Sequence, residues 1–506
     1  MDAFSHLTKI LTAEQIRQAD QYTINHQPIA SIDLMEKASR AFVSWFLKKY
    51  GLRKNIKIFC GTGNNGGDGL AISRLLTEHG CDINTFCIGD LSKASRDFKA
   101  NYDRLCLIQE PEVLNESTAL PKLVAGDIVI DALFGSGLSR PVTGFYADLI
   151  NHINTAGLEH VIAIDIASGM FSDQNTSGNV VVHCDQTVSF QIPKLAFYLP
   201  QNYKSTGKLS IVDIGLNDEY IQQLPTDFFL ISKAYIRSIH KKRKKFDHKG
   251  KFGHNLIIAG SKGKIGAAVL ATKACLRSGA GLVTTYVPEC GYGILQTAAP
   301  EAMAMTDPHQ TTISEIPDLD TFSSVGIGPG IGTEDPTAAA LANALKKSGK
   351  PLVLDADALN IISQHGLLDV VPKGSVLTPH PGEFERMAGS WDDDFHRLEK
   401  QRELSKKYEI IILLKGAHSS ISDPSGCVCF NMTGNPGMAT GGSGDVLTGV
   451  ITALLGQGYT SFEAATMGAY IHGLAGNLYV KEYTEEGLTA GDLIDYLPKT
   501  FQEFGS

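Results

Sequence analysis

N-P-G-M-A-T-G-G-S-G-D-V-L, residues Asn435 to Leu447, is the stretch on which the reading of this chain turns. Four of its thirteen residues are glycine, and they run into an acid, Asp445. Beyond the acid, Val446, Leu447, Val450, Ile451, Leu454 and Leu455 recur at helical spacing. Glycine lets a backbone come close to a ligand and take positive φ. A glycine-rich loop that opens a helix aims free N–H groups and the positive end of the helix dipole at an anion, usually phosphate. An acid in that place would repel the phosphate, so Asp445 is expected to handle a proton or a metal beside it. The plainer alternative is a glycine-rich turn with Asp445 as the helix N-cap.

The chain around this stretch has 506 residues, too many for one core, and two domains of about 200–280 residues are expected. Hydrophobic residues make up 43% and charged residues 20%, an ordinary globular balance. A net charge of −9 argues against a general nucleic-acid binder, which needs a basic face. The nine cysteines are scattered, and the one tight pair, Cys427-x-Cys429, lacks partners at zinc spacing, so free thiols in a reducing cytosol are expected. The first dozen residues lack the apolar run of a signal peptide, and no unbroken apolar stretch reaches about 18 residues. A cytoplasmic protein without a membrane span follows as the expectation.

In the first half, residues 11–50 read as helical, with Thr12 as a capping residue. Residues 55–60 read as a strand that enters G-T-G-N-N-G-G-D-G, Gly61 to Gly69, with a helix from Leu70 onward. Strand, glycine-rich turn and helix form the layout of a Rossmann-like site. The spacing is not that of a dinucleotide fingerprint, so an ordinary NAD dehydrogenase fits poorly. The Asn side chains and Asp68 suit a cation or a sugar-phosphate instead. Two further strands end in acids, Asp131 and Asp165, followed by A-L-F-G-S-G-L-S-R-P and I-A-S-G. Polar groups delivered to one sheet edge by three strands mark where an open α/β sheet binds ligands. Lys194 follows a later strand; a lone lysine usually faces solvent, but it could bind an anion or act in catalysis.

N-N-G-G-D-G, D-A-L-F-G-S-G and D-I-A-S-G together resemble the NAD(P)H-hydrate epimerase family over roughly residues 10–215. The resemblance implies a Rossmann-like fold and interconversion of the R and S forms of a hydrated nicotinamide cofactor. It implies substrate contacts from Asn64, Asn65, Gly66, Gly67 and Asp68, from Gly135, Ser136, Gly137, Leu138, Ser139, Arg140 and Pro141, and from Asp165. It implies a potassium ion on Asn65, Asp131 and Ser168, and oxygen ligands suit a hard cation. Ala167 stands where the family pattern has proline. Asp165 and Lys194 are the candidate acid/base groups, and the residues do not choose between them.

Residues 216–252 change character, with a basic run at 240–245 that reads as a solvated linker face, and the domain boundary is placed near 217–235. Domains are therefore expected over residues 1–220 and 230–506. Beyond the boundary, strands and helices alternate, which predicts a mainly parallel α/β sheet. G-I-G-P-G-I-G (326–332), L-D-A-D-A-L-N (354–360), L-T-P-H-P-G-E (377–383), K-G-A-H (415–418) and the opening stretch follow in order. These five motifs resemble the ribokinase-like ADP/ATP-dependent NAD(P)H-hydrate dehydratases. The resemblance implies hydrate binding by Ala267, Gly330, His380 and Asp445, and nucleotide binding by Lys415, Gly416, Ala417, His418, Ser419 and Gly444. It further implies magnesium with ADP or ATP, Asp445 as the catalytic base, and a homo-oligomer of tetramer size or larger. Two rival readings are a small-molecule kinase of the ribokinase type and a nucleotide-binding protein without turnover.

Overall fold

The computed structural model of the protein describes residues 6–53 and 55–505. The chain divides into two compact units. Among the described residues, one takes in Lys9–Thr226 with Asp393–Phe395; the other takes in His6–Thr8, Asp227–Asp392 and residues 396–505.

The first unit holds a seven-stranded, wholly parallel sheet. Its order is Glu112–Leu114, Ile83–Ile88, Ile56–Gly61, Ile128–Ala132, His160–Ile164, Gln186–Phe190 and Lys208–Val212. The chain starts in the middle of the sheet and works to both edges, the Rossmann-like arrangement. Strand Ile128–Ala132 is buried at every residue, as in a sheet covered on both faces. The expected single helical run over residues 11–50 is two helices, Ala13–His26 and Ser31–Tyr50. Pro28 lies in the break, where it lacks the N–H that a continuous helix needs. Thr12 caps the first helix: its Oγ1 accepts the N–H of Gln15 at 3.3 Å, and Gln15 Oε1 accepts the N–H of Thr12 at 3.0 Å.

One expectation is corrected here. The glycines of Gly61–Gly69 do not form a turn before a helix at Leu70; the helix runs Asn64–Glu78 and contains most of the motif. A Cβ on Gly66 would stand 1.6 Å from the carbonyl oxygen of Gly61. One on Gly69 would meet Ala132 Cβ at 2.6 Å. The glycines therefore let the first helical turns lie flush on the strand ends, which outweighs their low helix propensity.

The second unit holds an eleven-stranded sheet with a parallel body, Val428–Asn431 and Ser419–Ser422 making its antiparallel part. Successive residues of its strands enter different cores. Leu354, Leu377, Ile412 and Leu414 face one cluster, and Val353, Val376, Ile411 and Leu413 face the other. That alternation places a helical layer on each side of the sheet. Residues 217–235 are not an irregular linker. They form helix Asp218–Gln223, strand Phe228–Leu230 and the start of helix Lys233–Ile239, and the strand pairs in parallel with Val428–Phe430. All nine cysteines are unpaired. Among the described residues no helix is long and apolar enough to cross a membrane.

Candidate active sites

In the first unit the carboxyl ends of the central strands open onto a cavity of about 580 Å³. Asn64, Asn65, Asp68, Asp165 and the loop from Gly135 to Arg140 line it. Gly66 and Gly67 serve the helix packing instead, Gly67 against Met35, and Pro141 lies outside the wall. Asp165 follows strand His160–Ile164 with φ +65°, a left-handed conformation that few non-glycine residues hold. In that pose its Oδ1 accepts from Lys194 Nζ at 2.7 Å, and from Ser189 Oγ and the Phe190 N–H, each at 3.2 Å. Lys194 is 0% exposed, so the general expectation of a solvent-facing lysine does not hold here. Its Nζ also donates to Ser189 Oγ at 2.8 Å. Asp165 is the carboxylate that pairs with this buried lysine.

Two more carboxyl groups share the cavity wall. Burial, reinforced by Asp165, Asp20 and Asp97, holds Asp68 well above the usual carboxylate range. Asp20, from helix Ala13–His26, is pushed up to about 7 by burial and by Asp165, against the pull of Lys194. Sequence reasoning missed Asp20 because nothing near it in the chain marks it as functional.

Asn65, Asp131 and Ser168 meet around the backbone of Phe134. Ser168 Oγ donates to Asp131 Oδ1 at 2.6 Å and its N–H to Oδ2 at 2.7 Å. The Phe134 N–H donates to Ser168 Oγ at 2.8 Å, and Asn65 Nδ2 donates to the Phe134 carbonyl at 3.1 Å. Burial pushes Asp131 up to about 6, while the bonds from Ser168 and Leu133 hold it down. The donors are all oxygens, with one buried carboxylate, which fits a hard cation.

In the second unit the opening stretch does start a helix, Ser443–Gly456. Gly442 is its N-cap, at φ +89°, and a Cβ there would strike Leu270 at 2.5 Å. Asp445 sits in the first turn and does not cap the helix, so the plainer reading of it is set aside. Burial, with Asp355 and Asp357 nearby, pushes Asp445 up to about 6 against the pull of Lys415. Lys415 Nζ donates to Asp355 Oδ1 at 2.9 Å, and Thr448 Oγ1 donates to Asp355 Oδ2 at 2.7 Å. Burial opposes the charge on Lys415, but Asp355, Glu383 and Asp445 together hold its pKa above the ordinary value. Asp355, 1% exposed, thus organises the site, although in the sequence it stood out only as part of the L-D-A-D-A-L-N motif.

A cavity of about 740 Å³ lies beside this group. His380, Lys415, Gly416, Ala417, His418, Ser419 and Gly444 line it. His380 caps helix Pro381–Ala388, its Nδ1 accepting the N–H groups of Gly382 and Glu383 at 3.0 and 3.3 Å. Asp445, Gly330 and Ala267 stand outside this wall. A Cβ on Gly330 would lie 3.3 Å from that of Ala267, so those two adjoin each other. Asp357 accepts the Gly332 N–H at 2.9 Å and lies among the charges that act on Asp445, which links the two groups. His472, which the sequence reading passed over, also lines the cavity, and burial pushes it down to about 4. It is therefore neutral at pH 7, with Ser443 Oγ 3.4 Å from its Nε2.

Fold and sites together define a pair of ligand-handling α/β domains on one chain, the first Rossmann-like and the second ribokinase-like. Comparison with known proteins agrees. A family described as NAD(P)H-hydrate dehydratase matches residues 255–499, and one described as YjeF-related protein N-terminus matches residues 31–196. The bifunctional NAD(P)H-hydrate repair enzyme of Moorella thermoacetica is 35% identical, over 97% of this chain and 96% of its own. A ribokinase-like superfamily protein from Enterococcus faecalis is 27% identical with a TM-score of 0.50, covering 56% of this chain and 98% of its own. An ADP/ATP-dependent NAD(P)H-hydrate dehydratase from Bacillus subtilis, co-crystallised with ATP/Mg2+, is 29% identical with a TM-score of 0.48, covering 54% of this chain and 98% of its own. This chain belongs to the family of bifunctional NAD(P)H-hydrate repair enzymes.

Proposed function

We propose that the domain over residues 1–220 interconverts the R and S forms of hydrated NAD(P)H, and that the domain over residues 230–506 dehydrates the S form to NAD(P)H. ADP or ATP drives the second step; with ADP the products are AMP and phosphate. The observation that carries this reading is the full-length likeness to a bifunctional repair enzyme in a chain with a polar cavity in each unit.

In the second domain the hydroxyl at C6 of the hydrate is a poor leaving group. Asp445 takes its proton, and the oxygen attacks the terminal phosphoryl group of the nucleotide. N–H groups of the stretch Thr440–Gly444, at the start of helix Ser443–Gly456, stabilise the charge on the transferring group. The phosphate ester then leaves C6, the nitrogen lone pair closes the double bond, and loss of a C5 proton restores the dihydropyridine ring. His380, Gly330, Ala267 and Asp445 hold the hydrate; Lys415 to Ser419 and Gly444 hold the nucleotide. Among the described residues no three or more His, Cys, Asp or Glu cluster as a metal site. Magnesium would thus be held chiefly through the nucleotide phosphates, whose charge it would offset.

In the first domain, Asn64, Asn65, Asp68, the loop from Gly135 to Arg140 and Asp165 contact the hydrate, while Gly66 and Gly67 seat the helix and Pro141 stiffens the end of the loop. Asn65, Asp131 and Ser168 would hold a potassium ion, which supplies fixed positive charge beside the buried Asp131. We assign the chain to the cytoplasm and to a homo-oligomer of tetramer size or larger.

The test is direct. Hydrate, ADP, Mg2+ and K+ are mixed with the protein, and recovery of NADH absorbance is followed. Recovery from both epimers is the expected result. A stable phosphorylated product without NADH would identify a small-molecule kinase, and an unchanged spectrum a protein without turnover.

A further inference from the structure

Three carboxyl groups, Asp20, Asp68 and Asp165, line one cavity, and one buried cation, Lys194, stands among them. Lys194 is committed to Asp165, with Nζ 2.7 Å from Oδ1. The side chains of Asp20 and Asp68 accept no hydrogen bond among the described residues, so neither has a donor to hold its charge. Burial and the neighbouring carboxylates raise the pKa of both Asp20 and Asp68, which favours their protonated forms. The other charged groups facing Asp20 do not change this balance. Arg17 is 60% exposed and paired with Glu14, Arg140 is exposed, and Asp97 adds a further negative charge.

Asp20 and Asp68 also line a second, smaller cavity of about 260 Å³, whereas Asp165 lines only the larger one. Asp20 thus borders both the reaction cavity and an adjoining space that shares Asn64, Asp68 and Phe190 with it. Of the two, Asp68 is held well above the usual carboxylate range by burial and by Asp165, Asp20 and Asp97. Asp20 titrates at about 7, where a general acid is most effective.

We propose that Asp20 is the proton donor of the epimerisation, paired with Asp165 as the base. The inference rests on reading the first domain as an epimerase. Asp20 protonates the C6 hydroxyl and the C6–O bond breaks, releasing water. The ring-nitrogen lone pair forms the C6=N1 double bond. Water then adds to the other face of C6, the double-bond electrons return to nitrogen, and Asp165 takes the proton of that water. Proton exchange between the two carboxyl groups through cavity water completes the cycle.

The test compares wild type, Asp20→Asn and Asp20→Glu for conversion of R to S hydrate, with kcat and KM measured across pH 5–9. The wild-type rate should fall as pH rises through about 7, because the acid must carry its proton. Asp20→Asn should lose at least about thirtyfold in kcat and lose that alkaline limb; Asp20→Glu should recover part of both. Dehydration of the S form should be unchanged in all three. A smaller kcat loss, a retained alkaline limb in Asp20→Asn, or an effect confined to KM overturns the proposal. Should Asp20→Asn fail to fold, a wild-type profile without an alkaline limb overturns it equally. Wild type that does not epimerise at all overturns the epimerase reading itself, and this proposal with it.

Discussion

In the mechanism proposed above, Asp445 makes opposed contributions to stability and activity. Its folded pKa is raised from 3.8 to about 6. The folded state then binds the proton more tightly than the unfolded chain, so stability is lost as pH rises from about 4 to 6 and stays lost above. Asp445→Asn should therefore abolish dehydration while raising stability at pH 7 by on the order of 1–2 kcal/mol, measured by denaturant unfolding. Retention of more than about a tenth of the rate would rule out the general-base role. The same carboxylate should give kcat/KM an acid limb near pH 6. Asp355→Asn removes a negative neighbour and releases Lys415, two changes that both lower the pKa of Asp445. The acid limb should move to lower pH; a shift upward would exclude this coupling.

Helix Asn64–Glu78 shows how much of the fold and of the sites the residues disclose before folding. Its motif reads as a ligand-facing feature, and Asn64, Asn65 and Asp68 line a cavity. The start of the helix was misread because glycine is a poor helix former, and only the approach of Gly61 and Ala132 explains its use here. A single sequence does not state such long-range contacts. The same holds for Asp20, Asp355 and His472, whose importance comes from elements distant in the chain. Strand-end acids such as Asp131 and Asp165, by contrast, were visible because the strand and its ligand-bearing turn are adjacent in sequence. The helix also yields a paired prediction. Gly66→Ala drives a Cβ into the backbone and should cost on the order of 3 kcal/mol in thermal or urea unfolding. Gly63→Ala meets nothing within 4 Å and should stay within about 0.5 kcal/mol of wild type.

Across the full chain, two activities on separate sheets should fail independently. Asp165→Ala should stop NADH recovery from the R hydrate and leave recovery from the S form intact. Appearance of S form in that variant would remove Asp165 from the machinery. Asp445→Asn should still equilibrate the epimers, read by chromatography, without producing NADH.

The two-residue strand Thr8–Lys9 lies at the edge of the eleven-stranded sheet, beside Phe228–Leu230, although it precedes the whole first unit in the chain. Ser232 Oγ adds a bond to the His6 carbonyl at 2.6 Å. A gene truncated to begin at residue 227 would encode every residue proposed above for the dehydratase but discard the cover of that edge. Its product should self-associate through the bared Phe228–Leu230 rim, as light scattering would show, so the two halves of this enzyme are not separable at the obvious cut.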